Sequence, residues 1–195
     1  MHIALLGGSF NPFHKAHLSL ALSALNFGEI KQVQLLPAKK PWQKPSQMLE
    51  AAHRIAMIRL SIAGHPDICI NTSELERDGL TYTIDTVEAL PPEHKYYWIM
   101  GSDQLQNFTT WHRWQDILRH VDLLVAHRPS YPLEIPSEIS EELKKLNKEI
   151  HFLQMEDQNL SSTQIREKIK NSQSIEGLVH PEVIKYINTH NLYKE

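Results

Sequence analysis

Apolar positions along the chain fall into short blocks whose period switches back and forth. Six compact runs, "HIALL", "VQLLP", "DICIN", "KYYWIM", "VDLLVA" and "HFLQM", have the length and side chains of buried strands. Between them, residues 15–27, 49–63, 82–90, 115–119 and 137–148 carry apolar residues at helical spacing. Strand and helix in alternation predict an α/β fold: a doubly wound, mostly parallel sheet with helices on both faces. In such sheets ligands bind beyond the carboxyl ends of the strands, near the point where strand order reverses. The segments that follow strands therefore matter most, and three are polar and distinctive: "GGSFNPFHKAH", "GSDQ" and "HRPSYP".

Composition narrows the function classes. At 195 residues the chain suits one domain with at most a small subdomain, and 41% hydrophobic with 22% charged residues is ordinary for a folded globular protein. A net charge of −3 gives no excess of positive charge for wrapping a nucleic-acid backbone, which makes small anions the better expectation as ligands. The single cysteine, Cys69, excludes an internal disulfide and paired-thiolate metal sites. Apolar runs are far shorter than a membrane span and the N-terminus enters a strand at once, so a cytoplasmic location with no membrane contact is expected.

The richest stretch is "LLGGSFNPFHKAHLSLA". Gly7 and Gly8 after a strand are expected to turn the backbone tightly and offer N–H groups to phosphate oxygens, with Ser9 adding a hydroxyl. His14 and His17, three apart, share one face of a helix that begins near His14, so both rings can address one anion. Neither the Walker ending nor the dinucleotide fingerprint is present. Far along the chain, "LSSTQIREKI" starts a second helix with Ser161 as its cap and Gln164 at the capping-box position, and helix N-termini collect anions.

These residues resemble the nucleotidyltransferase superfamily whose signature is histidine, any residue, glycine, histidine, and "GGSFNPFHKAH" looks like its nicotinate-nucleotide adenylyltransferase branch. Ala16 stands where glycine is usual. "SSTQIR" is similar to the family's second signature. The resemblance implies a Rossmann-like fold, one nucleotidyltransferase domain over 1–195 with 160–195 as a C-terminal helical phosphate-binding part. It implies His14 and His17 as catalytic groups. It further implies that Gly7, Gly8, Ser9, Phe10, Asp103, Arg128, Ser161, Ser162, Thr163 and Arg166 bind ATP, with Mg2+ carried mainly on the nucleotide's phosphates and no protein metal site.

"GLTYTIDTVEAL" and "MGSDQLQNFTTWHRWQDIL" resemble the family's acceptor segments, and "LVHPEVIKYINTHNLY" its C-terminal helix. On that basis Lys44, Tyr82, Thr83, Trp111 and His112 are expected to hold nicotinate mononucleotide. Trp111 offers an aromatic face to a cationic pyridinium ring. Backbone N–H groups at Thr83 and His112 suit a carboxylate better than a carboxamide, whose NH2 would leave one donor unpaired. The implied reaction is adenylyl transfer from ATP to nicotinate mononucleotide, giving deamido-NAD and pyrophosphate in NAD biosynthesis. A related adenylyltransferase acting on nicotinamide mononucleotide or phosphopantetheine, and a non-catalytic nucleotide-sensing module, are the alternatives, and assembly into a homo-oligomer is open.

Overall fold

The strand runs pair into one six-stranded sheet. The computed structural model describes residues 1–39, 48–127, 134–154 and 160–194. The strands are β1 (His2–Gly8), β2 (Ile30–Pro37), β3 (Ile68–Ile70), β4 (Lys95–Gly101), β5 (Asp122–His127) and β6 (Ile150–Gln154). Their order is β3-β2-β1-β4-β5-β6 and every neighbouring pair is parallel. This is the doubly wound arrangement, with order reversing between β1 and β4.

Period-two alternation distributes the strand side chains between two cores. Ile3 and Leu5 of β1, Tyr96, Trp98 and Met100 of β4, and Leu123 and Val125 of β5 enter one cluster. On that face lie α4 (Thr83–Glu88), α5 (Ser102–Gln106), α6 (Trp114–His120) and α7 (Ser137–Leu146), which contribute Ile84, Leu105, Ile117 and Ile139. Ala4, Leu6, Tyr97, Ile99 and Leu124 face the other way, toward α1 (Lys15–Leu25) and α2 (Ala51–Ile62). Because both faces are covered, β4 and β5 are apolar nearly end to end rather than alternating with polar residues.

α2 also turns Met57 into a third cluster with Ile165 of α8 (Ser162–Lys170) and with Val183 and Ile187 of α9 (Pro181–Thr189). That cluster fastens the C-terminal helices beside the carboxyl end of β1, where Lys15 N–H donates to Leu178 C=O at 2.9 Å. Two short helices, α3 (Ser73–Glu76) and α5, lie where the apolar spacing predicts no helix; one turn is too short to show a period. The helix expected over 82–90 begins at Thr83, with Tyr82 still extended as its N-cap.

At the opposite, amino-terminal end of the strands, Asp122 is held between Lys95 Nζ at 3.0 Å and Lys148 Nζ at 3.1 Å. Lys148 also donates to the carbonyls of Leu118 and Val121, tying β6 to the end of α6. A cavity of about 830 Å³ opens there, lined by these groups and by His94, His120 and His151. None of the sequence motifs reaches it. The chemistry is therefore sought at the other end.

Candidate active site

A crevice forms because β1 parts from β4. β1 stays paired with β2 as far as Gly8↔Pro37, but its pairing with β4 stops at Leu5↔Trp98 while β4 continues alongside β5 to Gly101. Beyond Leu5, the β4-facing edge of β1 is thus released from the sheet at the switch point.

Gly7 and Gly8 belong to β1 and neither takes positive φ, contrary to the expected glycine turn; the left-handed residue is Phe10, at φ 47°. The glycines are needed for space. A Cβ on Gly7 would lie 3.0 Å from the Trp98 ring, and one on Gly8 would lie 2.9 Å from the Phe10 ring. Phe10 can hold its strained backbone because its side chain is fully buried against Phe13 and His17.

Three distant elements then grip the turn's carbonyl oxygens. Arg54 of α2 donates from Nη1 to Ser9 C=O at 2.7 Å, Arg166 of α8 from Nη1 to Asn11 C=O at 2.8 Å, and Ser162 Oγ to Pro12 C=O at 2.9 Å. Asn11 Oδ1 accepts from Tyr193 Oη at 2.8 Å and from Leu49 N–H at 3.4 Å. With the carbonyls drawn toward these donors, the turn is fixed from behind before any ligand arrives.

His14 is the N-cap of α1 and His17 its third helical residue. Their rings stack, centroids 3.7 Å apart and 23° between planes, as the spacing predicts. His17 Nδ1 accepts from the His14 backbone N–H at 3.3 Å, which places the proton of neutral His17 on Nε2 and makes that nitrogen a donor. His14 is buried, which pushes its pKa down to about 4, and its Nδ1 has no hydrogen-bond partner. A buried imidazole with an unanswered nitrogen is suited to an incoming polar ligand.

α8 begins as expected: Ser161 Oγ accepts from Gln164 N–H at 3.2 Å and Gln164 Oε1 accepts from Ser161 N–H at 2.9 Å. Its side chains are engaged differently from the expectation that they wait for phosphate. Ser162 and Arg166 hold the turn, and Thr163 Oγ1 accepts from Arg166 Nη2 at 3.1 Å. The helix N-terminus is thereby docked beside the histidine turn, and Ser161 answers one of the backbone N–H groups that a helix start leaves without an intrahelical partner.

The acceptor segments meet each other. The Tyr82 and His112 rings are 4.9 Å apart, and Arg113 pairs with Glu88 at 2.7 Å and Asp116 at 2.8 Å, bracing α4 against α6. Neither Thr83 N–H nor His112 N–H donates to another described atom. Trp111 lies at the edge of the core. It is half-buried, packed against Phe108 and edge-on to Trp98 at 6.3 Å, with its Nε1 buried and unpaired. Trp98 touches the position of a Gly7 Cβ on one side and Trp111 on the other, so the phosphate turn and the acceptor segment share a wall.

Asp103 is exposed in the first turn of α5, whose N-cap is Gly101. Lys44 and Arg128 lie outside the described residues. Lys39 turns inward to Arg77 C=O at 2.6 Å.

Several contributors escaped sequence reasoning. Asn11, Arg54 and Tyr193 organise the turn. Behind the Tyr82 segment, Thr86 Oγ1 accepts from Arg77 Nη1 and donates to Glu74 Oε1, each at 2.9 Å. Burial lifts the Glu74 carboxyl to about 7, against the opposing pull of Thr86 and Arg77. "SELER" shows only a solvated charge run, and nothing in that local pattern marks a buried acid.

The cytidylyltransferase-like family model matches residues 5–168. A protein of Bordetella pertussis named "Probable nicotinate-nucleotide adenylyltransferase" is 45% identical over 192 residues, 98% of each chain. One of Caldicellulosiruptor bescii with the same name is 35% identical over 195 residues, all of each chain. The chain belongs to this adenylyltransferase family. In fold it matches a Plasmodium falciparum nicotinic acid mononucleotide adenylyltransferase complexed with NaAD, with a TM-score of 0.75 at 22% identity, covering 98% of this chain and 97% of that one. The sheet order is that of this shared fold, while the grip on the turn is read from this chain's own contacts.

The two shifted groups act oppositely on stability. His14 holds a proton less well folded, about 4, than at its ordinary 6.5, so stability rises with pH across that window, by up to about 1.4 kcal/mol per pH unit. Glu74 holds one better folded, about 7 against 4.5, so its contribution falls as pH rises from 4.5 to 7. Between pH 4.5 and 6.5 the two slopes oppose and nearly cancel, so Glu74→Gln is expected to leave unfolding free energy rising with pH there, and His14→Gln to leave it falling. Denaturant unfolding at half-unit intervals checks this; a profile that either variant leaves unchanged contradicts that residue's assignment.

Proposed function

We propose that this chain transfers the adenylyl group of ATP to nicotinate mononucleotide, yielding deamido-NAD and pyrophosphate on the route to NAD. The observation that carries the reading is the convergence of a histidine-bearing phosphate turn and an aromatic, N–H-lined acceptor segment on one wall at the strand switch point. Relatives named for this activity match along nearly the whole chain.

The chemistry follows from the groups present. A phosphate oxygen of the acceptor, anionic near neutral pH, attacks the α-phosphorus of ATP; the new P–O bond forms as the α–β bridge breaks and pyrophosphate leaves with the electron pair. No covalent enzyme intermediate or general base is required, so positioning and charge stabilisation carry catalysis. His17 Nε2–H and the His14 ring donate to phosphate oxygens as charge moves toward pyrophosphate. The N-terminus of α8 faces the same charge. An arriving phosphate raises the pKa of His14, drawing a proton onto a ring that burial keeps neutral. Mg2+ bound to ATP offsets phosphate charge. ATP phosphates and water would supply most of that ion's ligands.

At the acceptor end, Trp111 stacks on the pyridinium and the Thr83 and His112 N–H groups receive its carboxylate. The amide acceptor leaves one donor unpaired in a desolvated site and is disfavoured.

Pyrophosphate release measured with ATP and, separately, nicotinate mononucleotide, nicotinamide mononucleotide and phosphopantetheine is expected to be fastest with the first. Preference for either other acceptor, or binding without release, refutes the proposal. His17→Ala is expected to lower turnover by about two to four orders of magnitude with the fold intact, and near-normal turnover removes its role. Because Trp111 is also part of the core edge, Trp111→Ala should lower the melting temperature and, beyond that, weaken acceptor binding by about 1–3 kcal/mol while ATP affinity holds. Separate titrations of the two substrates decide: equal losses for both place Trp111 in the core alone.

A further inference from the structure

Arg54 presents an imbalance that the reaction scheme leaves unused. It is 1% exposed, among the most completely buried large side chains in the protein. Its guanidinium donates from Nε to Leu49 C=O at 3.1 Å and from Nη1 to Ser9 C=O at 2.7 Å, both neutral acceptors. Other arginines here have carboxylate partners: Arg113 pairs with Glu88 and Asp116, and Arg119 with Asp116. Arg54 has none among the described residues, and the one ionisable group that influences it is the Tyr193 phenol, which burial holds neutral far above its usual range. A second guanidinium, Arg166, reaches Asn11 C=O two residues further along the same turn.

Buried charges are ordinarily paired, because desolvating an ion without a counter-ion is costly. Arginine does not escape the cost by losing its proton. For a cation with no carboxylate partner among the described residues, beneath a turn whose other face is a candidate phosphate site, an anionic ligand is the fitting counter-ion. We propose that Arg54 is a positioning residue whose buried charge, without a carboxylate partner among the described residues, makes the Ser9–His14 turn selective for a polyphosphate, which serves as its counter-ion. This rests on the reading of that turn as the ATP phosphate site. In a low-dielectric setting the attraction is screened little by salt or water, so it acts without direct contact. The charge also explains why a buried arginine holds Ser9, where a neutral donor would satisfy the carbonyl equally well.

The test separates charge from hydrogen bonding in the full-length chain. Arg54→Gln is neutral but still able to donate to a carbonyl, whereas Arg54→Lys keeps the charge. Calorimetric titration with inorganic tripolyphosphate, ATP and nicotinate mononucleotide, alongside KM for each substrate, is the measurement. Arg54→Gln is expected to weaken tripolyphosphate and ATP by about tenfold or more and leave the acceptor within about twofold, while Arg54→Lys keeps ATP within about threefold. Equal weakening of ATP and acceptor, or a lysine variant as impaired for ATP as the glutamine one, assigns Arg54 a purely structural role and overturns the proposal. If Arg54→Gln does not fold, Arg54→Lys decides alone: loss of ATP binding despite the retained charge overturns it. Failure of the wild-type chain to bind tripolyphosphate removes the phosphate reading and this inference together, whereas wild-type binding that Arg54→Gln preserves removes the inference alone.

Discussion

The carbonyl oxygens of Ser9, Asn11 and Pro12 are each bonded by a side chain from another element, and the geometry of the site depends on those three bonds. Without them the residues after β1 would have to satisfy their own backbone groups, and a six-residue loop has many ways to do so. With them, the left-handed Phe10 is locked over Gly8, His14 is set as the cap of α1, and the two imidazoles fall into a stack. The donors come from α2 and α8, which are joined by the third apolar cluster. Packing of the C-terminal helices is thus transmitted directly to the histidine turn.

Electrostatics at the turn follow from the same arrangement. Drawing the side-chain cations toward the carbonyls places positive charge behind the backbone, and burial leaves His14 neutral in the free protein. A polyanion arriving there meets the buried Arg54 and the half-buried Arg166, an unsatisfied imidazole nitrogen and a helix start, each more favourable with the ligand than without it. A site of that kind fits a reaction in which the attacking group is already an anion and the enzyme's task is to place and stabilise charge.

The sequence disclosed the fold well because its signal is collective. Six apolar runs alternating with helical spacing leave little choice but a doubly wound sheet, and the parts that were missed, α3 and α5, are single turns. Legibility of the site was uneven for a physical reason. His14 and His17, or Ser161 and Gln164, are local patterns whose partners lie three residues away. Arg54 with Ser9, Arg166 with Asn11, and Tyr193 with Asn11 join positions 45, 155 and 182 residues apart, and no short window reveals them. The glycines were noticed for the right stretch and the wrong cause: backbone freedom was expected, while the requirement is room for Trp98 and Phe10. Trp111 shows in the sequence only as an aromatic face, because a one-dimensional pattern cannot reveal that the ring also packs against the core.

The central claim is that polyphosphate binds at the stacked histidines of a turn already held in place. Nitrogen NMR of ring-labelled histidine, followed as ATP is added to the unmodified chain, tests it most directly. The account predicts that the His14 and His17 ring nitrogens shift together, His14 from a neutral toward a protonated pattern and His17 retaining its Nε2 proton, while His94, His120 and His151 at the opposite end stay still. Shifts confined to those distant rings, with His14 and His17 unmoved at saturating ATP, would contradict it.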